Sequence, residues 1–364
     1  GAAAERTCDP IVFAQLVERA KASASWQTRL GGNAAIMAQS MAAVHPDVRV
    51  VLGGHIGPLA HELLPANVVR ATRIEDHDEV HLILEYAKGD EWAVDVAAPR
   101  ANRFIVTADQ ANTHANAMLS VIEAADAHGA DVLVIAGLHM LEPLPAEQRT
   151  ASIQSIAAAL ANRRTANTVH IELASSVDAS YMRVIAEHLF PFAHSLGFNE
   201  QEAVFLYEVL GGTFSENSAA ANVSRAEVQR AAPVPNKVAL MLRHILNAAP
   251  HVSRLHYHSL GYHMSAYQLV NSTHLWHATT AAVAAGAVAG VQAACSQPAV
   301  ELTAEHLTLA GSLTVPVWDA HNATSATAAT NVSLSSEYAA TSWEWVAAAD
   351  SSVHKFTLVP VPVC

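Results

Sequence analysis

The chain contains 364 residues, of which 51% are hydrophobic and only 15% are charged, and its formal charge at pH 7 is -13. Binding to a nucleic acid or an anionic membrane needs concentrated positive charge, so the acidic balance and the lack of a Lys/Arg cluster exclude both as expected partners. The length suits one large α/β domain with a smaller companion, and no apolar run is long enough to predict a membrane-spanning segment.

The first part of the chain predicts two helices and then several short strands. Asp9 to Lys21 carries apolar residues at helical spacing after an Asp-Pro start, and Asn33 to Ala43 is a second helix. Arg49 to Gly54 is an apolar run that ends in glycines, as expected of a buried strand entering a turn. Between Val68 and Ala108, strand-like runs follow one another without helices, which favours a separate antiparallel sheet. These runs are Val80 to Tyr86, Trp92 to Val96 and Arg103 to Thr107.

From Asn112 onward, helical and strand-like segments alternate. This pattern predicts a mostly parallel central sheet with helices on both faces. The predicted helices are Asn116 to His128, Ala146 to Ala161, Asp178 to Leu189, Ala226 to Leu246 with interruptions at Pro233 and Pro235, and Thr273 to Ala289. The predicted strands are Asp131 to Ala136, Thr168 to Leu173 and Arg254 to His258.

The C-terminal part of the chain is less regular. Ala310 to Ser336 is rich in Thr, Ala, Ser and Asn, and we expect a loose surface excursion there. Lys355 to Val363 is predicted to be an edge or final strand, because Pro360 and Pro362 cannot donate hydrogen bonds to a ladder.

Two segments in the first part of the chain carry groups that suit a sugar. Gly31 and Gly32 let the backbone approach a ligand closely, and the carboxamide of Asn33 can both donate to and accept from a hydroxyl. The alternative is an ordinary turn in which Asn33 caps the following helix. Glu85 points to the opposite face of its strand from Leu84, where it can accept from a sugar hydroxyl or can simply belong to a solvated face.

Two acidic motifs lie in the alternating part of the chain. His170-x-Glu172 ends a predicted parallel strand with both side chains on one face, and ligands of open α/β sheets bind beyond such strand ends. Its alternative is a polar strand terminus. Asn199-x-x-Glu202 opens a helix and also fits a capping box, whereas its functional interpretation places Glu202 near a magnesium ion.

His256-x-His258 could place two imidazoles on one strand face for a transition metal. No acidic residue at a supporting spacing accompanies it, and the His-Glu-x-x-His motif of metalloproteases is absent. The chain also lacks the Gly-x4-Gly-Lys-Ser/Thr loop, a dinucleotide-binding fingerprint and a Gly-x-Ser-x-Gly elbow, which argues against P-loop enzymes, Rossmann dehydrogenases and serine hydrolases of that type.

Taken in order, many short segments resemble the ADP-dependent glucokinase family of the ribokinase-like superfamily, and in particular its animal-type members. Each segment alone is weak evidence for the family, but the whole series in this order is specific to it. The segments are Gly1 to Arg6, Gly31 to Ala34, Gly57-Pro58, His61 to Leu64, His81 to Tyr86, Glu91-Trp92, Pro99 to Ile105, Gly137 to Met140, His170 to Ser175, Ser195 to Glu202 and His256 to His258.

This resemblance implies a fold and an activity. The fold would be α/β and ribokinase-like, with a small β-rich lid formed by residues 1–30 and 66–108 and a large nucleotide-binding domain formed by residues 31–65 and 109–364. The reaction would be ADP plus D-glucose to AMP plus glucose 6-phosphate, assisted by Mg2+ and by closure of the lid. A monomer is expected, in the endoplasmic reticulum or secretory pathway if it follows the animal-type members and in the cytoplasm otherwise.

The resemblance also implies roles for individual residues. Glu172 and Glu202 match the motifs that organise magnesium and the phosphates, and Arg103 would contact phosphate from the lid. The residues expected around the sugar are Gly31, Gly32, Asn33, Glu85 and His139.

One departure from the family concerns the catalytic base. The family's Gly-x-Gly-Asp motif supplies the base and an anion hole, and we expect it beyond Cys364, just as the family's first strand is expected before Gly1. Two alternatives therefore remain open beside a kinase, namely a sugar- and nucleotide-binding pseudoenzyme and a metal-dependent hydrolase that uses the histidines. Glucose and related hexoses are not distinguished by these motifs.

We predict that the 364-residue polypeptide has no appreciable kinase activity, because the segment expected to take the proton from the sugar hydroxyl is not within it. The measurement is AMP formation from ADP and glucose by the purified polypeptide. Robust turnover would refute this prediction.

Overall fold

The computed structural model describes residues 4–93, 96–99, 102–113, 115–215, 222–229, 233–259, 261–268, 286, 313–318, 329–334, 341–346 and 353–360. The chain divides into two compact units, Gly1–His128 and Gly129–Cys364. No helix within the described ranges has the length and apolar character needed to cross a membrane.

The first unit combines helices with short strands. Its described helices are α1 (Pro10–Lys21), α2 (Asn33–Val44), α3 (Pro58–Leu63) and α4 (Asn116–His128). Its described strands are β1 (Ala4–Thr7), β2 (Val50–Leu52), β3 (Val68–Arg70), β4 (Leu82–Tyr86), β5 (Glu91–Ala93), β6 (Val96–Ala97) and β7 (Asn102–Thr107). Strand β7 lies between β1 and β4, parallel to β1 and antiparallel to β4.

Helix α1 shows how the first unit is held together. The carboxylate of Asp9 accepts hydrogen bonds from the backbone N–H groups of Ile11 and Val12 at 2.9 and 3.2 Å, which satisfies two donors at the helix start. The buried side chain of Val17 then packs against Leu82 of β4 and Val106 of β7. The cap and this contact fix α1 against the three-stranded sheet.

The second unit is built around a seven-stranded sheet. Its described helices are α5 (Ala146–Ala161), α6 (Ala179–Leu189), α7 (Glu200–Val209), α8 (Arg225–Val228) and α9 (Pro235–Ala248), with 3-10 turns at Leu138–Leu141 and Phe190–Phe192. Its described strands are β8 (Val132–Ile135), β9 (Thr168–Glu172), β10 (Ser195–Asn199), β11 (Arg254–His258), β12 (Tyr262–Gln268), β13 (Leu313–Trp318), β14 (Ala329–Leu334), β15 (Thr341–Val346) and β16 (Val353–Pro360).

The strand order of this sheet is β15-β16-β12-β11-β10-β9-β8. Strands β8 to β11 are parallel and adjacent in chain order, whereas β12, β16 and β15 continue the sheet with antiparallel pairs. Right-handed crossovers between successive parallel strands place α5, α6 and the α7–α9 segment on the same face. Contacts of α5 with α6, α6 with α7 and α7 with α9 agree with one continuous helical layer.

The sheet is apolar on one face and polar on the other. Ile171, Leu196 and Tyr257 alternate with polar neighbours and are fully buried, as expected of positions under the helical layer. On the opposite face, the helical residue Gly286 lies close to histidines of the sheet. A Cβ atom at Gly286 would lie 3.1 Å from His256 Cε1 and 3.2 Å from His263 Nδ1.

Most predicted elements are confirmed. Helix α3 and strands β1, β10, β12 and β15 were not predicted, and β1 adds a parallel pair to a sheet expected to be antiparallel. The loose excursion predicted from Ala310 to Ser336 is wrong where the structure describes it, because β13 and β14 form an antiparallel ladder there. Valine and threonine favour strands, and this propensity outweighs the loop-like composition.

Strand β16 was predicted as an edge or final strand. It is the last described strand along the chain, but it is not at the edge of the sheet, because it lies between β12 and β15. Pro360 stands at the last ladder position and so does not interrupt the pairing, and Pro362 falls outside the described residues. The helix predicted from Thr273 to Ala289 falls outside the described residues except for Gly286, which is helical.

A substitution of Phe198 in β10 tests the packing of the apolar face of the sheet against the helices. Its side chain is fully buried, and we expect Phe198→Ala to lower the free energy of unfolding by about 3–5 kcal/mol because it leaves a cavity. The matched control is Val132→Ala on β8, where the side chain is 57% exposed and the expected change is within about 0.5 kcal/mol. Urea unfolding of both variants is the measurement, and equal losses would contradict this packing.

Candidate functional site

Polar side chains gather on one face of the sheet toward the carboxyl ends of β9, β10 and β11. The ladders place Glu172 beside Gly197, Gly197 beside His256, and Asn199 beside His258. Because paired residues in neighbouring strands share a face, these side chains all belong to the polar face. The edge formed by the carboxyl ends of parallel strands is the usual ligand site of open α/β sheets.

Glu172 is the centre of this group. Its Oε2 lies 3.1 Å from Nε2 of His170, and its Oε1 lies 3.2 Å from Nε2 of His258. Burial alone raises the pKa of such a carboxyl group, but the hydrogen bonds and charges of the two histidines outweigh it and lower the pKa of Glu172 to about 2. Glu172 is therefore a buried, ionised carboxylate with an imidazole on each oxygen.

Gly197 provides the space for this carboxylate. A Cβ atom at residue 197 would lie 1.9 Å from Oε2 of Glu172 and 2.9 Å from Nε2 of His170. Any side chain there would displace one of the two groups. The small residue on the central strand is thus a requirement of the site.

Glu202 lies next to this cluster, at the start of α7. The predicted capping box is confirmed: Asn199 Oδ1 accepts from the N–H groups of Gln201 and Glu202, while the carboxylate of Glu202 accepts from the backbone N–H and the carboxamide of Asn199, both at 2.9 Å. Burial raises the pKa of Glu202 to about 7, and the negative charge of Glu172 adds to this effect. The carboxylate of Glu202 therefore caps helix α7 and also interacts electrostatically with Glu172.

These two carboxylates fit a hydrated magnesium ion better than a direct protein cage. Each carboxylate oxygen already accepts a hydrogen bond, and no cluster of three His, Cys, Asp or Glu groups in the described part of the chain has a metal-binding arrangement. Magnesium usually keeps several water ligands, and the remaining lone pairs of Glu172 and Glu202 can accept hydrogen bonds from them.

The histidines of β11 are engaged in the sheet. Nε2 of His256 lies 3.2 Å from Nδ1 of His263, while His258 contacts Glu172. Burial lowers the pKa of His256 well below its ordinary value and lowers that of His263 to about 4, so both rings are neutral at pH 7. Within the described residues, these contacts give the transition-metal hypothesis no support beyond the spacing itself.

The remaining predicted residue of the second unit is His139. It lies in the 3-10 turn that follows β8, after Gly137 in the left-handed conformation with φ 85°, and its side chain is half-buried. Strand β8 runs parallel to β9, so His139 follows the same edge of the sheet that carries Glu172.

The other predicted residues belong to the first unit. Gly32 has φ 80° and is the N-cap of α2, so the alternative in which Asn33 caps the helix is wrong, since Asn33 is already the first helical residue. Glu85 of β4 and Arg103 of β7 are direct partners in the antiparallel ladder, and both are exposed. A pocket beside them is lined by Leu84, Glu85, Tyr86, Asp90 and Glu91.

Three residues of the polar face were missed by sequence reasoning as functional positions, namely Ser195, Gly197 and Arg254. His258 was considered only as a possible transition-metal ligand and not as a partner of Glu172. The alternation Arg254-x-His256-x-His258 on a predicted strand was the available signal for Arg254. Ser195 and Gly197 required the recognition of β10 as a strand.

Comparisons with known proteins agree with this architecture. The "ADP-specific Phosphofructokinase/Glucokinase conserved region" matches residues 1–364. An ADP-dependent glucokinase of Bos taurus is 35% identical over 311 residues, which cover 83% of this chain and 60% of that protein. A probable ADP-dependent glucokinase of Caenorhabditis elegans is 33% identical over 323 residues, which cover 84% of this chain and 62% of that protein. The chain thus spans about three fifths of the length of these relatives.

Solved structures show the same fold. An ADP-dependent kinase in complex with fructose-6-phosphate and ADPbetaS superposes with a TM-score of 0.63 at 16% identity, covering 100% of this chain and 80% of that chain. The last common ancestor of ADP-dependent phosphofructokinases from Methanosarcinales gives 0.59 at 18% identity, covering 80% of this chain and 64% of that chain. The predicted α/β, ribokinase-like fold is confirmed.

Gly197→Ala tests the close approach at Glu172. We expect it to lower the free energy of unfolding by about 1–3 kcal/mol, since the new methyl group must displace a buried carboxylate or imidazole. Gly261→Ala, in the turn between β11 and β12, is the matched control because no described atom lies within 4 Å of its Cβ position. Equal stabilities of the two variants in urea unfolding would contradict the crowding at Gly197.

Proposed function

Because the chain belongs to the ADP-specific phosphofructokinase/glucokinase family, we propose that it serves as an ADP-dependent glucokinase. The reaction transfers the β-phosphoryl group of ADP to the 6-hydroxyl of D-glucose and releases AMP. The observation that carries the proposal is the ionised, buried Glu172 beside Glu202 at the carboxyl edge of the parallel strands. A buried pair of acidic groups at this edge suits a magnesium–nucleotide site.

The assignment of roles follows from the chemistry of each residue. When bound, Mg2+ would neutralise charge on the phosphate oxygens during transfer. Glu172 and Glu202 hold the hydrated ion through its water ligands. His170 and His258 keep Glu172 ionised and oriented by occupying one lone pair on each oxygen.

The sugar and phosphate contacts are proposed for the residues predicted from sequence. The carboxamide of Asn33 and the carboxylate of Glu85 hold sugar hydroxyls, with the Gly31-Gly32 backbone and His139 close by. Arg103 contacts phosphate. Residues 1–30 and 66–108 form the lid that closes over the sugar and excludes water, residues 31–65 and 109–364 form the large domain, and the kinase is a monomer.

Two observations support glucose over a sugar phosphate. The two curated relatives, at 35% and 33% identity, are an ADP-dependent glucokinase and a probable one. The segments around Asn33 and Glu85 also contain no cluster of basic residues, which a sugar phosphate would need for its charge. A neutral hexose does not need such a cluster.

A coupled assay of the polypeptide encoded by the complete gene tests the function. We expect AMP formation from ADP and glucose, with little turnover when ATP or GDP replaces ADP, or when fructose 6-phosphate replaces glucose. Glu172→Gln should lower the affinity for the magnesium–ADP complex about 10-fold or more, because it removes the charge that holds the hydrated ion.

The matched control is Glu147→Gln, an exposed residue in the first turn of α5 that should leave the affinity unchanged. Turnover with fructose 6-phosphate instead of glucose would assign the chain to the other activity of the family. Equal magnesium dependence of Glu172→Gln and the parent protein would remove the role given to Glu172.

A further inference from the structure

A line of hydrogen-bonded side chains crosses the polar face from β11 to Glu172. Nη1 of Arg254 lies 2.9 Å from Oγ of Ser195, and Oγ of Ser195 lies 2.8 Å from Nδ1 of His170. Nε2 of His170 lies 3.1 Å from Oε2 of Glu172. The ladders explain this line, since Ser195 of the central strand pairs with both Arg254 and His170.

The two ends of the line have fixed hydrogen-bonding roles. The guanidinium of Arg254 can only donate. Both oxygens of Glu172 face imidazole Nε2 atoms, and a carboxylate oxygen can only accept. The side chain of Glu172 is 10% exposed, that of His170 is 15% exposed, and Ser195 is 1% exposed, so bulk water competes little for these groups.

Fixed ends determine what the middle of the line does. Ser195 Oγ accepts from Arg254, which leaves its own proton free to be donated to Nδ1 of His170. A neutral imidazole that accepts at Nδ1 carries its proton on Nε2, which is the atom facing Glu172. Every donor in the line then points toward the carboxylate.

We propose that Arg254 and Ser195 are positioning residues, which anchor Nδ1 of His170 so that its Nε2–H stays directed at Oε2 of Glu172 and fixes the orientation of that carboxylate. The consequence for magnesium binding rests on the proposed function of Glu172. The tautomer itself depends only on the side chains of this chain.

The same arginine orders a second arm of the network. Nη2 of Arg254 lies 3.3 Å from Nδ1 of His256, and Nε2 of His256 lies 3.2 Å from Nδ1 of His263. Because Arg254 donates to Nδ1, neutral His256 carries its proton on Nε2 and donates to His263. Arg254 can only donate hydrogen bonds. It therefore makes Nδ1 an acceptor in both histidines, directly in His256 and through Ser195 in His170.

Orienting partners of this kind typically change metal affinity about 10–100-fold when they are removed. Ser195→Ala deletes the hydroxyl that donates to Nδ1 of His170, so the ring loses the hydrogen bond on that side and is held through Glu172 alone. Ser195→Thr keeps the hydroxyl and should retain the hydrogen bond to Nδ1. Ser265→Ala is the matched control, because Ser265 is a buried serine on the same face, beside His256 in the ladder, and lies outside the line.

The decisive measurement is the nitrogen NMR spectrum of the histidines in the 364-residue chain at about pH 8, where a neutral imidazole reports its tautomer directly. For the unaltered chain we expect His170 to be protonated at Nε2 and unprotonated at Nδ1. Ser195→Ala should shift the Nδ1 resonance of His170 toward that of a nitrogen without a hydrogen bond, while Ser195→Thr and Ser265→Ala should leave it near its original position.

Protonation at Nδ1 of His170 in the unaltered chain would overturn the proposal, and this result needs no variant to fold. Unchanged His170 resonances in a folded Ser195→Ala chain would overturn it as well. Calorimetric titration of the polypeptide encoded by the complete gene with Mg2+ and ADP adds a separate readout, in which Ser195→Ala should bind about 10-fold more weakly. If that polypeptide binds no magnesium–ADP without the substitution, the proposed function fails, and the inference about His170 is decided by the spectrum alone.

Discussion

A buried carboxylate that stays ionised needs strong donors, and the structure of the second unit depends on how Glu172 obtains them. Moving an unpaired charge out of water costs several kcal/mol, of order what a whole domain retains as net stability. His170 comes from the same strand as Glu172, His258 comes from two strands away, and Gly197 between them leaves the space for the carboxylate. The three strands must therefore keep their register for the charge to remain buried.

That register is maintained by the opposite face of the same strands. Leu196 and Phe198 of β10 alternate with Ser195 and Gly197, so one strand supplies both the apolar contact with the helices and the floor of the site. A shift by one residue would expose the apolar side chains and bury polar ones under the helices. The hydrophobic layer thus determines the position of the polar network without touching it.

Local features were predictable from the sequence, and features that join distant strands were not. The His170-x-Glu172 strand end and the Asn199-x-x-Glu202 helix start each depend on a few consecutive residues with clear periodicity. Strand β10 is only five residues long and has a glycine at its centre, so its composition does not resemble a typical strand. The contact of His258 with Glu172 joins residues 86 positions apart, and no local pattern encodes it. The position of β16 inside the sheet is likewise set by its partners, β12 and β15, and not by its own prolines.

We have proposed that the magnesium–nucleotide site lies at the carboxyl edge formed by β9, β10 and β11. Paramagnetic Mn2+ can replace Mg2+ as a probe, because it broadens the resonances of nearby nuclei much more than those of distant ones. With the histidines labelled and ADP present, we expect sub-stoichiometric Mn2+ to broaden His170 and His258 before His188 on α6 and His251 in the turn before β11. Broadening of all four histidines to the same extent, or of His188 and His251 first, would contradict it.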